Sequence, residues 1–113
     1  MVRYSKLCSG VAHVYFIWAM GTGKVKIGKS VNVGKRMKVL SKVSSHWLVL
    51  LCTLREQSGI SKQGVHQALR HLKDAGGNEW YFLGDDLVAL IEMIIDGVSI
   101  TKIKLWLVER QQI

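Results

Sequence analysis

Residues 12–20, Ala-His-Val-Tyr-Phe-Ile-Trp-Ala-Met, most constrain what this chain can fold into. Val14 through Trp18 are β-branched or aromatic in unbroken succession, the residue types that fit a pleated, buried surface. Gly21-Thr22-Gly23 follows at once and is turn chemistry. Val25 and Ile27 then open a second short run of strand formers. Two such runs joined by a short Gly-rich loop predict a β-hairpin at the head of the fold. Arg3 and Lys6 ahead of residues 11–20 give a faint likeness to a signal peptide, but His13 interrupts the run and strand formers dominate it. No stretch reaches the ~18 apolar residues that a membrane span needs.

Downstream the period changes. Asn32 is placed to cap a helix beginning near Val33. Val33, Met37 and Leu40 recur at helical spacing and are expected to face the core, leaving Lys35, Arg36, Lys38 and Lys42 largely elsewhere. Residues 47–54 read as a third, fully apolar strand. A second helix is expected over about 61–73, with Val65, Leu69 and Leu72 on its buried face and Gly76-Gly77 ending it. Residues 79–83 are short, aromatic and extended in character. Gly84 or Asp85 caps a third helix over about 86–95, and Gly97 stops it. Ile103, Leu105 and Leu107 alternate with Lys102, Lys104 and Trp106, which predicts a terminal strand. The expected class is α/β, more strictly α+β: a small mixed, largely antiparallel sheet opened by a hairpin and flanked by about three helices. With 113 residues, 49% of them hydrophobic, and no proline to mark a linker, the chain reads as one domain. Its core is expected over about 11–96, with a short N-terminal tail and a C-terminal strand.

Charge narrows the partners. Sixteen lysines and arginines against eight acids give a formal +8, which suits a polyanionic partner, nucleic acid or an anionic membrane surface, with nucleic acid the favoured one. Lys29, Lys35, Arg36 and Lys38 are close in sequence and are the candidate phosphate contacts. Cys8 and Cys52 make no disulfide framework. Cys52 lies in an apolar run and is expected to be a core thiol, which fits a reducing, cytoplasmic setting. His13, His46, His66 and His71 have no zinc-ligand spacing with these cysteines. Gly21-Thr22-Gly23-Lys24 lacks the length and the Ser/Thr of a phosphate-binding loop.

A more specific pattern runs through these elements. His13-Val14-Tyr15 is followed, eleven residues after the tyrosine, by Lys26-Ile27-Gly28. Arg36 comes eight residues after that glycine, on the first predicted helix. His66 lies on the second, within Val65-His66-Gln67-Ala68-Leu69, and Asn78-Glu79-Trp80-Tyr81-Phe82 follows. In order and spacing this resembles the GIY-YIG nuclease superfamily, and in particular its phage and bacterial branch with Lys-Ile-Gly at the second motif and a Gly-Glu-Trp-Phe-like segment. The likeness spans about residues 11–95. His13 and Val14 stand where the first motif has Gly and Ile, Asn78 where the branch has glycine, and Leu69 where its helix has phenylalanine.

The resemblance implies a metal-dependent endonuclease that hydrolyses phosphodiester bonds in DNA, using a single Mg²⁺ or Mn²⁺. Its catalytic residues carry over to Tyr15, Lys26, Arg36, His66 and Glu79, with Glu79 as metal ligand. Phosphodiester hydrolysis needs a deprotonated water and neutralisation of charge on the phosphoryl and leaving oxygens. Tyr15 is the candidate base, with Lys26 on the neighbouring strand to poise it or orient the water. Arg36 offers a planar fork to phosphate, Glu79 a hard oxygen ligand, and His66 a proton shuttle or phosphate contact. Taken singly, each is ordinary: a core tyrosine, a solvated lysine, a charge on a basic helix. Glu79 beside three aromatic residues is harder to place without water, a partner or a metal. A domain this small is expected to draw sequence specificity from a partner or a homodimer, for which the surface near Trp106 is the candidate.

A second reading is a non-catalytic DNA-binding protein of winged helix-turn-helix type centred on residues 59–83. There Ser61, Lys62, Gln63 and Gln67 would reach phosphates and base edges, and residues 80–82 would begin a wing. It requires a first helix ahead of Gly59, where the sequence reads as strand.

Overall fold

A computed structural model describes residues 10–112; Arg3, Lys6 and Cys8 lie outside the described residues. Strands β1 (His13–Ala19), β2 (Lys24–Ser30), β3 (Leu48–Arg55) and β4 (Trp80–Phe82) form one sheet in the order β3-β1-β2-β4. Every pairing between them is antiparallel. Helices α1 (Val33–Val43), α2 (Lys62–Ala68), α3 (Asp85–Ile95) and α4 (Ile100–Gln111) complete an α+β fold.

The hairpin forms as its sequence dictates. Tyr15 lies opposite Gly28 and Ile17 opposite Lys26. Gly21 takes a positive φ of 88° in the turn, a region glycine enters without steric cost. Thr22 closes the turn by donating its backbone N–H and its hydroxyl to the Ala19 carbonyl, at 3.0 and 2.7 Å.

Alternation divides β1 between two faces. Val14 and Phe16, with Ile27 opposite Phe16 and Val25 opposite Trp18, join the main core. Val65 and Leu69, Leu87 and Leu90 of α3, and Ile103 and Leu107 of α4 close over it. Tyr15, Ile17 and Ala19 are buried on the other side. Helix α1 crosses that side, where Arg36 reaches the Tyr15 hydroxyl.

Five expectations are corrected. The terminal strand over Ile103, Leu105 and Leu107 is helix α4: Ser99 caps it by accepting from the Lys102 N–H at 3.3 Å. Ile103 and Leu107 are buried one turn apart, while Leu105 is 59% exposed. The core therefore extends beyond residue 96. The second helix ends early, at Ala68, and Arg70–Leu72 tighten into a 3₁₀ turn. Val33, Met37 and Leu40 are only half-buried, since no residue of α1 is fully buried. Residues 48–55 form an edge strand with Val49 and Leu50 exposed, and only Leu54 is fully buried. An edge strand has a neighbour on one side alone, so apolar sequence does not bring burial there. Cys52 packs partly against the core, and burial pushes its thiol up to about 12. It is an inert thiol rather than a nucleophile.

Candidate active site

Strand β4 is only three residues long, and its pairing with β2 stops at Lys26–Trp80. Glu79 is the next residue, and its carbonyl still accepts from the Ile27 N–H at 2.8 Å. To do so it takes φ 65°, and it is the one non-glycine residue with positive φ among the described residues. That conformation costs on the order of 1 kcal/mol and, outside glycine, tends to mark functional positions. The turn thereby sets the carboxylate between two lysines on different elements. Lys62 Nζ, in the first turn of α2, donates to Glu79 Oε2 at 2.7 Å. Lys26 Nζ, on β2, lies 3.7 Å from Oε1 and 5.4 Å from the centre of the Trp80 ring.

The carboxylate is ionised despite its setting. Burial works to raise Glu79, but the hydrogen bond and charge of Lys62, then the charges of Lys26 and His66, outweigh it and hold the group below its ordinary value. The Glu79 charge also favours the cationic form of His66 and Arg36, so these side chains share one electrostatic neighbourhood.

His66 sits one helical turn after Lys62 on the same face of α2. Its Nε2 lies 2.7 Å from the Ile27 carbonyl oxygen. A carbonyl only accepts, so Nε2 carries the hydrogen. Burial holds the imidazole below its ordinary value. At neutral pH the ring is therefore neutral, with its lone pair on Nδ1, and it packs against Tyr81 with ring centres 5.1 Å apart.

Tyr15 is 1% exposed. Its ring lies so close over Gly28 that a side chain there would overlap the phenol, which gives the glycine of Lys26-Ile27-Gly28 a steric reason. Arg36 Nε donates to the Tyr15 hydroxyl at 3.5 Å, a long contact. That contact, then the charge interaction with Tyr15, favours the guanidinium cation, and Arg36 is held above its ordinary value.

All five residues expected from sequence fall in this region. Lys26, His66 and Glu79 meet at the end of the β2–β4 pair, and Arg36 and Tyr15 meet beside Gly28. Of the expected phosphate contacts, Lys35 and Lys38 are exposed on α1 with Arg36. Lys29 stands apart: it lies opposite Val14 on the main-core face and pairs with Glu56 at 3.7 Å. Sequence reading missed Lys62 as a partner of Glu79. The signal available was its place one turn before His66. In the winged-helix reading Lys62 contacts DNA, whereas here it is bound to Glu79, and the element that runs up to the loop before Gly59 is strand β3.

No three His, Cys, Asp or Glu side chains converge as a metal cage among the described residues. Glu79 offers a single ionised carboxylate. This donor set fits a hard divalent ion held by one carboxylate, with water and substrate phosphate oxygens as its remaining ligands. Both oxygens of that carboxylate face lysines, Oε2 bonded to Lys62 and Oε1 3.7 Å from Lys26. No family model, curated protein or solved structure matches the chain.

Proposed function

We propose that this protein is a metal-dependent endonuclease of GIY-YIG type, hydrolysing phosphodiester bonds in DNA. The observation that carries the reading is the convergence, from β1, β2, α1, α2 and the turn before β4, of Tyr15, Lys26, Arg36, His66 and Glu79 in one basic region. Far apart in sequence, they are brought into one region by five different elements.

The chemistry assigns each group a task. Arg36 and Lys26 hold the non-bridging phosphoryl oxygens, the former through a planar fork. Water attacks phosphorus, and its proton passes to the Tyr15 oxygen, which enters the step as phenolate and which Arg36 Nε contacts. The bond to the leaving oxygen breaks, and that oxygen takes a proton from solvent. His66, fixed on the β2 backbone, orients the water through Nδ1. Glu79 would hold a Mg²⁺ or Mn²⁺, which when bound supplies charge neutralisation at the phosphoryl and leaving oxygens. A second copy or a partner chain would add sequence preference, with exposed Leu105 and Val108 as apolar contact surface. The half-buried Cys52 thiol suits a reducing cytoplasm, and no helix among the described residues is long and apolar enough to cross a membrane.

The test is cleavage of supercoiled plasmid with Mg²⁺ or Mn²⁺ by wild type and by Glu79→Gln. The substitution removes one charge and keeps the side-chain shape. Wild type should nick the plasmid only with the metal, and the variant should be inactive while its circular dichroism and melting curve remain those of a folded protein. Equal rates would remove Glu79 from the site, and an inactive wild type in every divalent metal would remove the enzyme.

A further inference from the structure

We infer that the protein grips unpaired bases of single-stranded DNA in an aromatic trough beside the candidate active site. The inference rests on the nucleic-acid reading of that site and names the substrate form it favours. A cavity of about 360 Å³ opens between the end of α1 and the sheet, bounded by Lys26, Val43, His46 and Trp80. A second, of about 420 Å³, adjoins it across Ser44, Ser45, His46 and Leu48 and ends at Trp47. Each lies within the ~300–1,000 Å³ typical of ligand pockets.

The walls are unusual for a folded surface. Val43 and Trp47 stand 83% and 84% exposed, the most open large hydrophobic residues described. Their exposure is not looseness of the chain. The Trp47 carbonyl accepts from the Met20 N–H at 2.8 Å. The Ser44 hydroxyl donates to the His46 carbonyl and accepts from the His46 N–H, at 2.8 and 3.1 Å. The backbone is thus fixed with an indole directed into water, where it gains nothing for folding. Trp80 borders the other end, and Lys26, which reaches Glu79, forms part of the same wall.

The trough itself holds one cation, Lys26, and α1, which ends at Val43 on its wall, carries Lys35, Arg36, Lys38 and Lys42. Indole faces beside these cations suit a polyanionic backbone with unstacked bases. A phosphate at Lys26 and Arg36 leaves the neighbouring bases beside the trough, where Trp47 offers a stacking face. In a duplex those faces are occupied by neighbouring base pairs. The molecule's +8 charge favours a polyanionic occupant.

The experiment measures binding of a fluorescent twelve-nucleotide single strand, and of the same sequence as duplex, without divalent metal so that cleavage cannot intervene. Wild type should bind the single strand more tightly. Trp47→Ala should weaken it about tenfold or more, the usual scale of one lost stacking contact, and leave duplex affinity unchanged. Trp47→Phe should restore most of the loss. Because Trp47 is exposed, neither variant should disturb folding. Binding of both DNAs with no dependence on Trp47 overturns the trough and leaves the nuclease reading standing. No binding of either at low salt overturns both. A dimer in sedimentation that dissociates in Trp47→Ala, with DNA binding unchanged, would assign the surface to a second copy instead.

Discussion

Arg36 is the residue on which binding and turnover should separate. It is exposed, yet its Nε contacts the hydroxyl of a buried tyrosine, so it can touch both phosphate and the proposed base. Losing a preorganised contact of this kind typically costs about a hundredfold or more in rate. Arg36→Ala should therefore cut turnover by about that factor, while DNA affinity, shared among several cations, changes only a few-fold. Arg36→Lys should rescue poorly, because an ammonium lacks the fork. A variant that loses affinity and keeps its turnover number would make Arg36 an ordinary surface contact. His66 makes a different prediction, through pH. Its value in the folded protein lies below the ordinary one, chiefly because burial disfavours the charged ring. The unfolded chain then binds more protons between the two values. This contribution to stability is complete above the ordinary imidazole value, about 6.5, and is lost as pH falls through the folded one. Glu79 and Asp74 are also held low, but from carboxylate values, so they act in a more acidic window. Between about pH 7.5 and 5, wild type should lose more stability in denaturant melts than His66→Gln, which keeps a donor for the Ile27 carbonyl. Parallel curves would show that the ring is not held neutral.

At the scale of elements, α4 gives the sharpest test because its sequence supports two periods. Over residues 103–107 the apolar positions alternate, which suits a strand. Ile100, Ile103 and Leu107 also share one helical face, and Ser99 stands ready to cap it. Tertiary packing decides in favour of the helix, since α2 and α3 leave a groove that Ile103 and Leu107 fill. Leu107→Ala should cost about 2–5 kcal/mol and Leu105→Ala less than about 0.5 kcal/mol, in urea unfolding followed by circular dichroism. Equal costs would favour the strand. The rest of the fold divides along the same line. The hairpin, α1 and α3 were legible because local chemistry specifies them: a glycine turn, an Asn32 cap, and Asp85 and Asp86 in a first turn. The exposure of β3 was not legible, because alternation and hydropathy do not reveal which strand lies at a sheet edge. Of the site, the motif residues were legible. The Lys62–Glu79 pair was not, because it depends on a positive φ at Glu79 that no local signal announces.

For the whole molecule, the question is where the excess charge lies. Four of the eight acids pair with particular cations: Asp74 with Lys24, Glu56 with Lys29, Glu79 with Lys26 and Lys62, and Asp86 with His71 and Arg110. No ion pair among the described residues involves a cation of α1, and that helix carries Lys35, Arg36, Lys38 and Lys42 without one acidic residue. The helix that crosses the Tyr15 face thus carries a cluster of four cations with no acid of its own, next to the proposed phosphate position. If it is the nucleic-acid footprint, the logarithm of DNA affinity should fall linearly with the logarithm of salt, by about 0.9 for each duplex phosphate neutralised. The Lys35→Ala/Lys38→Ala double variant should flatten that slope by about 1.8, two contacts at the same rate. Lys29→Ala should leave it nearly unchanged, since this charge lies on the main-core face beside Glu56. Fluorescence anisotropy across a salt series on a duplex, without divalent metal, reads both. A slope that responds to Lys29 and ignores Lys35 and Lys38 would move the DNA to the opposite face of the sheet, away from Arg36, and no phosphate bound there could reach the Tyr15 side of the proposed site.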